Sequence, residues 1–158
     1  IPIQNRKVGI INLAGRTFMP PIDCPFQTIN QIISEIKNSC DIIIIDFHAE
    51  ATSEKLALGW YLDGKVSCVA GTHTHIQTAD ERIFPQGTAY ISDLGMVGPW
   101  NSILGVDKDA VIRKFLTGLP VRFNVATDED TIFCAIVIQI DHSSKATNII
   151  RIQKHLKK

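Results

Sequence analysis

Asp41-Ile42-Ile43-Ile44-Ile45-Asp46-Phe47-His48-Ala49-Glu50 and Val66-Ser67-Cys68-Val69-Ala70-Gly71-Thr72-His73-Thr74-His75 decide how this chain folds. Each opens as a short apolar run, the pattern of a strand covered on both faces, and each closes in polar residues. Such strands belong to parallel sheets flanked by helices. In open α/β sheets, ligands sit in the loops at the carboxyl ends of the strands. Three of the five histidines, His48, His73 and His75, fall in these two strand-end segments.

That placement has a chemical meaning. In an extended H-x-H the side chains at i and i+2 project to the same side. His73 and His75 could then bind one metal ion, or one ion each of a close pair. Neutral imidazole suits transition ions, and His48 from the neighbouring loop would complete the set. The competing reading makes all three polar loop residues hydrogen-bonded to backbone. A third histidine after an adjacent strand, and a glycine ahead of the pair, favour the metal.

Upstream, Val8 to Leu13 reads as a strand, followed by an irregular stretch from Ala14 to Phe26 with three prolines. Its Phe18, Met19 and Phe26 read as cover for the sheet ahead of walls of a substrate cleft. Thr28-Ile29-Asn30-Gln31 fits a capping box, and Ile29, Ile32, Ile33 and Ile36 carry a helical stripe to about Asn38. Strand, helix, strand makes a right-handed crossover between parallel strands. A second helix spans Ala51 to Leu62 with Ser53 as its cap, and Asp63-Gly64 stops it. A further strand covers Thr88 to Ser92, and Gly95, Gly98 and Pro99 mark a second long loop. Asp107 caps a helix to about Leu116, with Val111 and Phe115 inward and Gly118 at its end. Leu119 to Ala126 and Thr131 to Asp141 read as a hairpin about Asp128-Glu129-Asp130, and Thr147 to Gln153 as one more strand. The expected class is α/β, parallel strands first and an antiparallel region last, within one domain.

The 158 residues carry 45% hydrophobic and 20% charged residues and no formal net charge. That is an ordinary globular composition and gives no bulk-charge basis for nucleic-acid binding. The four cysteines, Cys24, Cys40, Cys68 and Cys134, form no C-x-x-C pair. Cys68 and Cys134 sit in apolar runs as buried free thiols do, which points to a reducing, cytoplasmic setting. No window is long enough to span a membrane. The chain begins at Ile1 with a strand close behind, as a fragment or a processed product would.

Several motifs together resemble the calcineurin-like metallophosphoesterases, in particular the bacterial YmdB-like branch of 2′,3′-cyclic-nucleotide 2′-phosphodiesterases. They are INLAGRTFMPPIDCPF, IIIIDFHAEATSEKLALGWYLDGKVSCVAGTHTHIQTADERI, GTAYISDLGMVGP and FLTGLPVRF. The match runs to about Asp141. The resemblance implies a sandwich of sheets flanked by helices and a centre of two metal ions, iron or manganese. By motif position, His48 and His73 would bind one ion and His75 the other. It also implies hydrolysis of 2′,3′-cyclic nucleotides to 3′-nucleotides by a hydroxide that the two metals activate.

The family's N-terminal Asp, Glu/Asn and Asn-His motifs have no counterpart here, so residues 1–158 correspond to the C-terminal portion of one domain. The bridging carboxylate and the histidine that acts as acid lie in the missing part, and no catalytic or substrate-binding residue is assigned. On that reading, the 158 residues alone bind metal weakly and turn over little substrate.

Other candidates are weaker. Glu50 is either a partner orienting a histidine or a solvated carboxylate. Asp80, Glu81 and Arg82 are expected to fix their loop, and Asp46 to accept from backbone amides. His142 and His155 read as surface residues. Phe18, Met19, Met96 and Trp100 suit a substrate cleft or the contact of a homo-oligomer. No G-x-S-x-G elbow and no G-x-x-x-x-G-K-[ST] loop is present. The alternative function is a non-catalytic metallophosphoesterase-fold regulator that binds a protein or RNA-processing partner.

Overall fold

The computed structural model describes residues 1–3 and 5–157. In chain order the elements are β1 (Pro2–Ile3), β2 (Arg6–Ala14), α1 (Pro25–Ile36), β3 (Ile42–His48), α2 (Thr52–Tyr61) and β4 (Cys68–Thr72). After these come β5 (Arg82–Ile83), β6 (Ala89–Ile91), β7 (Val97–Pro99), α3 (Lys108–Thr117), β8 (Thr131–Ile140) and β9 (Ala146–Leu156). Among the described residues the strands make a six-stranded sheet, ordered β1-β2-β3-β4-β6-β5, and a three-stranded sheet, β7-β8-β9. The strands β2, β3, β4 and β6 run parallel, β1 and β5 add antiparallel edges, and the smaller sheet is antiparallel throughout.

The two faces of the larger sheet follow from residue parity along its strands. Ile11, Leu13, Ile43, Ile45, Phe47, Val69 and Tyr90 point one way, into a core completed by Ile29 of α1 and Leu58 of α2. Ile44, Cys68, Ala70 and Ile91 point the other way, against Ile136, Ile138 and Ile149 of the smaller sheet. The isoleucine stripe of α1 packs as its spacing requires: Ile29 is wholly buried, and Ile32, Ile33 and Ile36 rest on the core. Cys68 and Cys134 are buried free thiols, and burial pushes the Cys68 thiol up to about 12.

Local expectations differ from the structure at four points. Helix α1 begins at Pro25, not at a Thr28 capping box, because proline at the first helical position brings a pre-set φ and lacks only an N–H that would be unpaired there. Ser53 lies inside α2, whose cap position is Ala51. The hairpin joins β8 to β9 through the turn at Asp141–Lys145, while residues 119–126 form no strand of the sheet and Val125 makes one isolated bridge to Val106. Helix α3 has the expected ends, with Asp107 accepting from the Ala110 amide and Gly118 at φ 69°. Val111 is buried as expected, but Phe115 is 82% exposed.

Candidate metal centre

Strand register assembles the first part of the site. Asn12 lies beside Asp46, and His48 beside Thr72. Side chains two apart share a face, so all four gather at the carboxyl end of the parallel strands, on the face turned to the smaller sheet. Asn12 Nδ2 donates to Asp46 Oδ2 at 2.8 Å, and Thr72 Oγ1 donates to Asp46 Oδ1 at 2.7 Å. His48 Nδ1 stands 3.2 Å from Thr72 Oγ1. Asp46 thus holds two side chains, where the sequence suggested backbone amides, and β3 runs on through His48.

The loop after β4 supplies the second part, and its backbone is not extended. His73 has φ 109° and His75 φ 66°, both in the left-handed region. Each such non-glycine residue costs about 1–3 kcal/mol and persists only where its surroundings hold it. The i and i+2 argument from an extended H-x-H therefore does not apply to this pair. Thr74, between them, is what the protein holds. Asp93 Oδ2 accepts from the Thr74 amide at 2.9 Å, the Thr74 hydroxyl at 2.7 Å and Lys55 Nζ at 2.9 Å, while Oδ1 accepts from the Gly95 amide at 2.9 Å. Lys55 and Asp93 are 2% and 1% exposed, so the anchor is a buried ion pair. Burial by itself would raise the Asp93 carboxyl, but donation from Thr74, Gly95 and Lys55 outweighs it and holds the group below the ordinary carboxylate range. Gly71 is needed at the root of the loop, because a Cβ there would lie 1.8 Å from the Ser92 carbonyl oxygen.

The result brings His48 and His73 together. Their rings stand edge to face with centroids 4.7 Å apart, and His48 Nε2 faces His73 Nδ1 at 3.0 Å. His73 Nε2 is 3.1 Å from Glu50 Oε2, so Glu50 is a partner of a histidine. His75 turns elsewhere: its Nδ1 faces the Leu104 carbonyl oxygen at 3.1 Å, and the residue lines a cavity of about 410 Å³ with Met96, Trp100 and Leu104. Every one of the three histidines therefore commits one ring nitrogen to an oxygen and leaves the other over.

This arrangement fits a metal ion at the His48–His73 gap. Glu50 and the Leu104 carbonyl only accept, so they hold the N–H of His73 and His75, as partners behind metal-bound histidines do. The nitrogens left over on His48 and His73 face one another, and two lone pairs at 3.0 Å repel unless a proton or a cation lies between them. Two adjacent ligands, each about 2.1 Å from one ion, stand about 3.0 Å apart at a right angle. Among the described residues no group of three or more His, Cys, Asp and Glu gathers closely enough to hold an ion. The pair offers two ring nitrogens to one ion, and no third such side chain completes a set with them among the described residues.

The remaining candidates have structural partners. Asp80 accepts from Thr78 and Ser92; burial would raise its carboxyl, but these donors bring it below the usual range. Glu81 pairs with Arg151 at 3.3 Å, and Arg82 lies over the Phe84 and Tyr90 rings, so all three fix their loop. His142 sits in the β8–β9 turn. His155 belongs to β9 rather than to a loose tail, with its ring against Trp100 and its Nε2 3.8 Å from Asp130. Phe18 is exposed, Phe26 packs on the core, and Met19 is half-buried. Sequence reasoning passed over Asn12, Lys55, Thr72, Thr74 and Asp93 as site residues. For Asn12, Asp46, His48 and Thr72 a signal existed: polar residues two apart at the ends of otherwise apolar strands.

The fold is shared with solved structures, among them one of a phosphatase. Residues of this chain superpose on a crystal structure of a novel phosphatase from Mycoplasma pneumoniae with TM-score 0.88 and 35% identity, covering 98% of this chain and 56% of that one. A hypothetical protein from Thermus thermophilus gives TM-score 0.91 and 35% identity, over 98% and 60% of the two chains. More narrowly, residues 1–152 match the family described as YmdB-like protein, and the chain belongs to that family. It is 52% identical over 152 residues to a Bacillus subtilis (strain 168) protein named 2′,3′-cyclic-nucleotide 2′-phosphodiesterase, a match that covers 96% of this chain and 58% of that protein. A putative phosphatase/phosphodiesterase of Mycoplasma pneumoniae is 43% identical over 123 residues, 76% of this chain and 43% of its own length. The chain therefore spans about half the length of the relatives it matches.

Proposed function

We propose that this chain carries part of the active site of a metal-dependent phosphodiesterase acting on 2′,3′-cyclic nucleotides to give 3′-nucleotides. The observation that carries the reading is the His48–His73 pair, two ring nitrogens facing one another at 3.0 Å with oxygens set behind both rings. The name and 52% identity of the Bacillus relative supply the substrate class. His48 and His73 hold one ion of a pair, and His75, with Nδ1 on the Leu104 carbonyl, offers Nε2 to the other. Iron and manganese suit such imidazole and oxygen sites. When bound, the ions supply the Lewis acidity that activates water and offsets charge on the phosphate.

The chain's own residues supply position. The Asp93 anchor fixes Thr74, and through it the strained backbone at both loop histidines, so no ligand has to be ordered when the ion arrives. Glu50 and the Leu104 carbonyl fix ring orientation. The apolar cavity beside His75, walled by Met96, Trp100 and Leu104, is placed to receive a nucleobase while the phosphate lies at the histidines. The remaining ligands, the bridging carboxylate and the acid that protonates the leaving oxygen lie outside these residues. On this reading residues 1–158 alone bind metal weakly and hydrolyse little.

The test compares the full-length protein with its His73→Ala, His75→Ala variant. Elemental analysis is expected to find about two transition ions per chain in the parent. Both those ions and 2′,3′-cyclic AMP hydrolysis are expected to be lost in the variant. A parent protein without metal or hydrolysis would instead favour the regulator that keeps the fold and binds a partner.

A further inference from the structure

The partner of His48 differs in kind from the partners of the other two histidines. A carboxylate and a carbonyl oxygen can only accept, but Thr72 offers a hydroxyl, which can donate or accept. Left to itself, Thr72 would allow either tautomer of His48. In one, Nδ1 carries the proton and Nε2 presents a lone pair toward His73. In the other, the proton sits on Nε2, in the gap. Only the first leaves Nε2 able to bind a metal.

We propose that Asp46, acting through Thr72, sets the tautomer of His48 and so makes Nε2 its ligating atom, a role that rests on the metal-centre reading above. Each proton in the chain of bonds can be placed. Asn12 Nδ2 can only donate, and it occupies Asp46 Oδ2 at 2.8 Å. The carboxylate can only accept, so the contact at Oδ1 takes the single proton of the Thr72 hydroxyl, at 2.7 Å. The Thr72 oxygen then has lone pairs alone to turn toward His48 Nδ1 at 3.2 Å, which must carry the N–H. Nε2, 3.0 Å from His73 Nδ1, is left without a proton of its own, and with no ion bound the gap is closed by a proton on His73 Nδ1, whose charge Glu50, 3.1 Å from His73 Nε2, balances. The four residues come from three adjacent parallel strands in register, which fixes the order of the relay as rigidly as the sheet itself. Asp46 and Thr72 are positioning residues, acting through His48.

A merely structural role for Asp46 would leave the His48 tautomer unchanged when the carboxylate becomes an amide. In Asp46→Asn, Asn12 still requires an oxygen where Oδ2 was, so the amide nitrogen must face Thr72. It would donate to the Thr72 oxygen, release the hydroxyl proton toward His48 Nδ1, and move the imidazole proton to Nε2. The tautomer would invert with the geometry unchanged. Nitrogen-15 shifts of the His48 ring, measured by NMR on the full-length protein stripped of metal at a pH where the ring is neutral, read this directly. The expected result is Nδ1–H in the parent and in Thr72→Ser, Nε2–H in Asp46→Asn, and a mixture in the near-isosteric Thr72→Val. Manganese affinity, measured by titration of the same proteins, is expected to fall about 10- to 100-fold in Asp46→Asn and Thr72→Val and to be unchanged in Thr72→Ser. An Nε2–H tautomer in the parent, or the same tautomer in parent and Asp46→Asn, overturns the proposal. Tautomers as expected in a parent that takes up no manganese would retain the relay and overturn the metal-centre reading.

Discussion

Lys55 and Asp93 lie far apart in sequence, yet their buried pair holds the loop that carries two of the three histidines. The two partners should not be equivalent. Removing Asp93 leaves the Lys55 ammonium buried without a counter-charge and frees Thr74, whereas removing Lys55 leaves Asp93 with its Thr74 and Gly95 donors. Asp93→Ala is expected to cost about 3–5 kcal/mol, the usual penalty for breaking a buried pair, and Lys55→Met clearly less. Urea denaturation of both variants measures the difference, and equal losses would contradict the asymmetry. The pH dependence has a definite sign. Asp93 and Asp80 are both held below the ordinary carboxylate value when folded, so the unfolded chain binds protons first as the solution is acidified. Their contribution is fully present above the unfolded value of about 3.9 and drains away as pH falls through the lower folded values. Urea midpoints taken from pH 6 to pH 3 should fall below about pH 4, and fall less in Asp80→Asn.

At the scale of an element, α3 separates end effects from face effects. Its ends are well specified: Asp107 caps the first turn and Gly118 closes the last. Asp107→Ala is therefore expected to cost about 1 kcal/mol. The helix buries Ala110 and Val111, but Phe115 and Leu116 stand in the open, 82% and 81% exposed. Phe115→Ser is accordingly expected to stay within about 0.5 kcal/mol of the parent, the range of substitutions that touch nothing buried. Thermal unfolding of the two variants checks both. A large loss at Phe115 would mean that the ring is covered in solution.

For the whole molecule, the relevant coupling is between the sheet and an ion at its strand ends. His48 belongs to β3, and His73 follows directly on β4, so an ion bound to both would tie two adjacent strands of the larger sheet. An ion that binds only the folded state adds stability that grows with the logarithm of its free concentration over its dissociation constant. Manganese at 100 times that constant should add about 2.7 kcal/mol. Denaturant titration of the full-length protein with and without manganese measures this gain. It should shrink in His48→Ala, which would leave only the ion at His75, and a gain unchanged in that variant would place the ion elsewhere.

What the sequence determined by itself is the order of the three helices and of strands β2, β3, β4 and β6, the parallel half of the larger sheet, and the location of three histidines at its carboxyl edge. Apolar runs such as Asp41–Asp46 and the period-3.6 stripe from Ile29 to Ile36 carry that information locally, because burial of each face depends on neighbours a few residues away. Only the tertiary structure decided which histidines meet. An extended H-x-H would have pointed His73 and His75 the same way, but the turn at each, held by a carboxylate nineteen residues beyond Thr74, turns His73 toward His48 and His75 toward Leu104. The same holds for the hairpin, where residues 119–126 have strand composition but the long register between β8 and β9 takes the pairing. Contacts between residues far apart in sequence depend on packing and register, and no local period records them.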